Sequence, residues 1–120
     1  MNDIEKIKQL LKDEENITFA YIFGSYVDGS YHDESDIDIA IFLKDDSFDY
    51  YLYITHLLEK NLKKKIDITI LNKTKNLYLL ENIINSSIVV KESDLREDFE
   101  IARWHDILDF KELQKRLANA

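Results

Sequence analysis

Gly24 and Ser25 are followed, after ten further residues, by Asp36 and Asp38, which stand two positions apart. Gly24 and Gly29 are the two glycines of the chain. A chain with so little glycine keeps it where the backbone must turn sharply or approach a ligand closely. Glycine-serine, an intervening loop and Asp-x-Asp form a spacing that is typical of sites holding a nucleoside triphosphate with its metal ions.

The two aspartates lie in a segment whose side chains alternate in character. From Asp36 to Leu43 the isoleucines fall on one side and the aspartates on the other, which predicts a strand with one face in the core. The two carboxylates then project from one face, roughly 6 to 7 Å apart, and repel unless a cation or a proton lies between them. Asp67 lies in a second alternating segment, Ile66 to Leu71. If the two strands pair in matching phase, Asp67 joins the same face.

Three converging carboxylates would form a hard-oxygen site suited to magnesium. No Lys or Arg occurs between Lys12 and Lys44, so divalent cations must supply most of the positive charge near a bound triphosphate. In a two-metal arrangement, one ion lowers the pKa of an attacking hydroxyl and the other binds the triphosphate and the leaving pyrophosphate. We therefore expect Asp36, Asp38 and Asp67 to be catalytic residues and ligands of two magnesium ions.

The phosphates are expected to lie against the glycine-serine turn. Gly24 lets the backbone come close, and the amide and hydroxyl of Ser25 would point at phosphate oxygens. A plainer alternative makes Gly24 and Ser25 an ordinary loop and leaves Asp36 and Asp38 facing solvent on an edge strand. The lysines from Lys63 to Lys65 are interpreted as a solvated helix end.

The elements that must position these residues follow from periodicity. Strands separated by helices predict an α/β or α+β domain of few strands, with helices packed on one side. Strands are predicted at Ile17 to Phe23, Asp36 to Leu43, Ile66 to Leu71 and Ser87 to Val90. Helices are predicted in the opening segment, at Asp49 to Leu62, at Leu77 to Ile84 and from Asp94 onward, with a tight turn or first helical turn at Ser25 to Ser30.

The last predicted helix has an apolar stripe that shifts along its length. The shift falls around Trp104 to Phe110, so a bend or break is expected there. The residues expected to be buried are Leu95, Phe99, Ala102, Leu108, Leu113 and Leu117.

Bulk composition bounds the class of protein. A chain of 120 residues predicts one domain spanning 1-120, and the net charge of −8 argues against direct nucleic-acid binding, which relies on Lys and Arg. No apolar run is long enough for a membrane span, the N-terminus lacks signal-peptide features, and the chain has no cysteine. A cytoplasmic protein is the expectation. The acidity suits either a basic protein partner or a plain soluble surface.

These motifs resemble the nucleotidyltransferase superfamily that includes DNA polymerase β, and most closely its minimal branch of MntA-like antitoxins, encoded beside HEPN-domain toxins. The resemblance runs from Tyr21 through Gly29 to Ala40 and resumes at Ile66-Asp67-Ile68. The segment from Ala102 to Lys111 resembles the family's ending.

The resemblance implies an α+β (mixed α/β) nucleotidyltransferase fold: a mixed sheet of about four strands flanked by helices, with a long C-terminal helix. It implies an enzyme that uses ATP and magnesium to attach AMP to a tyrosine of a cognate HEPN ribonuclease toxin, silencing it. Asp36 and Asp38 would bind both metals, Asp67 one, and Gly24 and Ser25 the triphosphate. Where relatives often carry a basic residue after Gly-Ser, this chain has Tyr26-Val27-Asp28.

Two alternatives remain open at this point. A small-molecule adenylyltransferase uses the same motifs, although 120 residues leave little room for the additional domain that holds such an acceptor. A catalytically inactive antitoxin would neutralise its toxin by covering it, with the aspartates as relics.

Overall fold

The computed structural model describes residues 1–119 and shows helices alternating with the strands of one sheet. Every predicted element is present, and the ends of the strands differ from the prediction by at most one residue. The strands are β1 (Ile17–Phe23), β2 (Ile37–Leu43), β3 (Ile66–Ile70) and β4 (Ile88–Lys91). The helices are α1 (Asp3–Lys12), α2 (Ser25–Asp28), α3 (Phe48–Leu62), α4 (Leu77–Asn85) and α5 (Asp94–Ala118).

The four strands form one mixed sheet in the order β3-β2-β1-β4. β1 pairs antiparallel with both β2 and β4, whereas β2 and β3 run parallel. The parallel pair is joined by α3, because parallel strands need a crossover that returns the chain to the same end of the sheet. The first residues of β2 and β3 therefore meet at one edge of the molecule, beside the last residue of β1.

Helices cover both faces of this sheet, so the expectation of helices on one side is wrong. α1 and α3 pack against one face, which includes Ile22, Ile39 and Ile68. α4 and α5 pack against the other, which includes Phe19 and Tyr21. The reason is that β1 carries apolar side chains at nearly every position, so both of its faces must be covered and neither can be exposed to solvent.

Side-chain caps begin the helices where the sequence changes from loop to apolar stripe. The Asn2 carboxamide accepts a hydrogen bond of 2.8 Å from the Glu5 amide at the start of α1. Ser47 and Ser93 start α3 and α5 in the same way, and Asn76 accepts bonds from two amides of α4. None of the helices within residues 1–119 combines the length and apolarity that crossing a membrane requires.

The last helix is one continuous element of 25 residues, so no break occurs near Trp104. No proline or glycine interrupts its hydrogen-bond ladder. The helix packs through Ile107, which is 2% exposed, with Phe99 and Trp104 half-buried beside it. The other expected core residues are exposed to solvent, which corrects the prediction. They are Leu95, Ala102, Leu108, Leu113 and Leu117.

Ile107 and Leu108, which are neighbours near the middle of α5, provide a matched test of which side of the helix packs against the core. Ile107→Ala removes side-chain atoms from a filled core, so we expect the free energy of unfolding to fall by about 2–4 kcal/mol. Leu108 is 48% exposed, so Leu108→Ala should cost less than about 1 kcal/mol. Urea unfolding of both variants measures the difference, and equal losses would contradict this orientation of α5.

Candidate active site

The predicted site residues come together at the edge where β1 ends and β2 and β3 begin. Phe23, the last residue of β1, pairs with Asp38 of β2, and Asp38 pairs with Asp67 of β3. Residues paired in register project from the same face, so Asp38 and Asp67 lie side by side as predicted. Gly24 follows β1 directly, and Asp36 immediately precedes β2.

Asp38 is the carboxylate on which the other acids converge. Its pKa is raised from 3.8 to about 6, first by burial, then by the negative charges of Asp67 and Asp36, and finally by hydrogen bonding to the Asp67 carboxyl. Asp38 is half-buried, whereas Asp36 and Asp67 are exposed. The site thus concentrates negative charge around a group that solvent only partly reaches, which is an arrangement found at functional sites.

Gly24 is in direct contact with this carboxylate. Its φ of 74° lies in the left-handed region, and a Cβ built there would fall 2.2 Å from Oδ2 of Asp38. The sequence suggested that the glycine makes room for phosphate; the structure shows that it also makes room for Asp38. Gly29 has a φ of 87° but no atom within 4 Å of such a Cβ, so it is needed only to end α2.

The loop after Gly24 is held by short-range hydrogen bonds. The amides of Val27 and Asp28 donate to the Gly24 carbonyl over 3.0 and 3.1 Å. The Asp28 carboxylate accepts from the amide and hydroxyl of Ser30, and these two bonds lower the pKa of Asp28. These bonds hold the backbone of the short helix α2, which begins at Ser25.

Lysines lie closer to the site than their positions in the chain suggest. The amide of Ile37 donates to the Lys65 carbonyl over 3.0 Å, which continues the pairing of β2 with β3 by one residue. Lys64 forms an ion pair with Asp3 and lies 5.7 Å from the centre of the Tyr31 ring. The sequence pattern favoured a solvated helix end for these lysines and did not place Lys65 beside the start of β2. The signal was present, because Lys65 precedes Asp67 by two residues.

The three acids match magnesium in kind, since carboxylate oxygens are its preferred protein ligands. Within residues 1–119, no three His, Cys, Asp or Glu side chains stand close enough together to hold one ion in common. Asp67 raises the pKa of Asp38 through its charge and through hydrogen bonding, whereas Asp36 does so through its charge alone. The negative charge that Asp36 and Asp67 add around Asp38 fits a cation.

Comparison with known proteins decides the family. A family model described as polymerase beta, nucleotidyltransferase matches residues 5–96. The chain belongs to this family. A protein of Methanocaldococcus jannaschii, provisionally named a protein adenylyltransferase, is 34% identical over 90 residues, which are 72% of this chain and 90% of that protein. The resemblance to nucleotidyltransferases drawn from the Gly-Ser and Asp-x-Asp motifs is thereby confirmed.

Chains in solved structures of toxin–antitoxin complexes share the fold. A chain from the MntA–HpeT complex with two Asp-to-Glu substitutions matches with a TM-score of 0.81 and 20% identity, covering 99% of this chain and 97% of the other. A chain from a toxin–antitoxin complex with AMP-PNP matches with a TM-score of 0.80 and 22% identity, and it covers the same shares of the two chains. A chain from the complex of the tri-AMPylated Shewanella oneidensis HEPN toxin with the MNT antitoxin matches with a TM-score of 0.72 and 19% identity. The match covers 98% of this chain and 93% of the other. These matches confirm the predicted mixed sheet and long C-terminal helix.

The two glycines allow a matched test of the contact with Asp38. Gly29→Ala should lower the free energy of unfolding by about 1 kcal/mol, since it strains the backbone alone. Gly24→Ala should cost about 3 kcal/mol, because its ψ of −148° is strained for any residue with a side chain and the new Cβ must also displace a carboxylate. Denaturant unfolding measures both. Equal losses would show that Asp38 moves aside without cost and that the contact carries no weight.

The raised pKa of Asp38 predicts a pH dependence in the absence of divalent cations. Between pH 3.8 and about 6 the folded protein keeps a proton that the unfolded chain has released. The favourable contribution of this group is therefore complete below pH 3.8 and is lost as the pH rises through about 6. Asp38→Asn removes this loss, so its stability relative to wild type should increase from low to neutral pH.

Asp28 provides a control of opposite sign. Its pKa is lowered by the bonds from Ser30, so its contribution is present above the unfolded pKa and lost on acidification. Asp28→Asn should therefore lose stability relative to wild type as the pH rises. Urea unfolding of the three proteins across this range tests both signs. A parallel response of the two variants would contradict the assignment of the raised pKa to the Asp38 site.

Proposed function

We propose that this protein is a magnesium-dependent nucleotidyltransferase antitoxin that transfers AMP from ATP to a tyrosine hydroxyl of a cognate HEPN ribonuclease toxin and so neutralises it. The observation that carries the proposal is the in-register pairing of Asp38 with Asp67, directly beside Gly24. Such a reaction needs positioning and charge stabilisation more than covalent chemistry, so a few residues on a small sheet suffice.

Each site residue has a place in this reaction. Gly24 and Ser25 would hold the triphosphate, Asp36 and Asp38 would bind both magnesium ions, and Asp67 would bind one. Bound magnesium would lower the pKa of the acceptor hydroxyl and neutralise charge on the phosphates. The acceptor oxygen forms a bond to the α-phosphorus, and the bond from that phosphorus to pyrophosphate breaks. Asp67, nearest the acceptor in the sheet order, helps to take the hydroxyl proton.

The partner and substrate are supported by the relatives. One is named for protein adenylyl transfer, and chains of the same fold occur with a HEPN toxin, with an AMP-PNP ligand and with a tri-AMPylated toxin. The exposed leucines of α5 give this chain apolar surface that a bound protein would cover. Because the reaction consumes ATP, we place it in the cytoplasm. The proposed partners are ATP and the HEPN protein, and they include neither nucleic acid nor a membrane.

A single assay tests this function. The protein is incubated with ATP, magnesium and the HEPN protein encoded beside it, and intact-mass measurement follows the partner. We expect the mass of the partner to rise by whole AMP units. Asp36→Asn and Asp38→Asn should slow the reaction by at least about 100-fold, because each removes charge that must hold the metal and phosphates in place.

Asp45→Asn is the matched control, since Asp45 is an exposed carboxylate just beyond the opposite end of β2, and this variant should transfer AMP at the wild-type rate. If Asp38→Asn still neutralised the toxin and no AMP were added even by the wild type, the protein would be a binding antitoxin. Transfer of AMP to a small alcohol in preference to the HEPN protein would instead identify a small-molecule adenylyltransferase.

A further inference from the structure

The strand order assigns the two substrates of the proposed reaction to opposite sides of the carboxylates. In the order β3-β2-β1-β4, Gly24 and Ser25 lie at the β1 side of Asp38, and Asp67 lies at its β3 side. This step rests on the proposed function, which puts the triphosphate on the Gly24 side. The acceptor must then approach from the β3 side, because attack on the α-phosphorus comes from the side opposite the leaving pyrophosphate.

A charged cleft lies on that acceptor side. It encloses about 520 Å³ between two segments, one leading into Asp36 and the other leading into Asp67. One wall carries acids and a serine, and the facing wall carries three consecutive lysines. Its lining residues are Asp33, Glu34, Ser35, Lys63, Lys64 and Lys65. Opposite charges on facing walls suit a polypeptide segment that carries charges of both signs.

Lys65 directly precedes β3, and its backbone pairs with the start of β2. β2 and β3 pair Ile37 with Ile66, and the bond from the Ile37 amide to the Lys65 carbonyl continues the ladder. Lys65 therefore lies opposite Asp36, at a strand spacing of about 4.8 Å. It stands two residues before Asp67, which places it on the face of the sheet that carries the three acids.

The neighbouring lysine differs in this respect. Lys64 also lines the cleft, but its charge is taken up by the ion pair with Asp3, and it lies near the Tyr31 ring. Lys65 is exposed and makes no ion pair within residues 1–119. A cation beside three carboxylates has its charge available for an anion that the acids alone would repel.

We propose that this cleft binds the segment of the partner protein that carries the acceptor tyrosine, and that Lys65 pairs with an acidic side chain of that segment. The pair counters the repulsion between the partner's carboxylate and the site, and it orients the tyrosine hydroxyl toward the Asp67 side. Lys65 is an acceptor-binding residue and takes no part in holding ATP.

The test separates affinity for the protein acceptor from affinity for ATP. AMP transfer to the HEPN protein is measured at saturating ATP with wild type, Lys65→Ala, Lys65→Glu and Lys65→Arg, and dissociation of a fluorescent ATP analogue is measured separately. We expect Lys65→Ala to raise KM for the HEPN protein roughly 5- to 10-fold, and Lys65→Glu more, with little change in affinity for the analogue. Lys65→Arg should restore most of the loss.

Lys60 provides the control, because it is an exposed lysine on α3 outside the cleft. Lys60→Glu makes the same charge change and should leave KM for the HEPN protein within about twofold, since an isolated surface charge contributes little. Unfolding midpoints of all variants should agree with wild type, which excludes misfolding as the cause of a raised KM.

Other results would overturn the inference. An unchanged KM in Lys65→Glu, with wild type active, would overturn it and leave the proposed function standing. A parallel fall in affinity for the ATP analogue would assign Lys65 to the triphosphate. A loss confined to the second and later AMP additions would assign it to the phosphodiester of an attached AMP. No AMP transfer by the wild type would overturn the proposed function and this inference together.

Discussion

The parallel register of β2 and β3 is the constraint on which the rest of the structure depends. It pairs Asp38 with Asp67 on one face, and the same register places Ile37, Ile39, Ile66 and Ile68 in the core on the other. A slip of one residue would bury the carboxylates and expose the isoleucines. The free energy of core burial therefore maintains a cluster of acids that would otherwise separate. Packing and site geometry are specified by one set of alternating residues.

This coupling has an electrostatic cost that remains visible in the folded protein. Asp38 titrates near 6 because burial and two neighbouring acids disfavour its charged form. Gly24 adds a backbone conformation that other residues rarely adopt, and it is needed because the Asp38 carboxyl occupies the space of a side chain. A sheet edge selected for stability alone would avoid both features. Their coincidence at the meeting point of three strands is what distinguishes a site from an ordinary loop.

The sequence predicted the strands and the convergence of the acids because both depend on local alternation, which is visible at Asp36 to Leu43 and at Ile66 to Leu71. It did not predict the orientation of α5. Apolar residues occur around that helix, and the side that packs is chosen by contacts from α4 and from Phe19 and Tyr21, which lie far away in the chain. The spacing of Lys65 from Asp67 was visible in the sequence, but its position beside the segment that carries Asp36 depends on strand pairing.

The exposure of the site bears on how the proposed reaction would avoid wasting ATP. Asp36 and Asp67 are exposed and Asp38 is half-buried, so the chain by itself does not enclose the acids. An open site would allow water to compete with the acceptor hydroxyl, because exclusion of water is what normally suppresses such side reactions. The acceptor protein is the one component large enough to cover this edge. Closure of the site by its own substrate would couple AMP transfer to partner recognition, and it would explain why so small a sheet needs no lid.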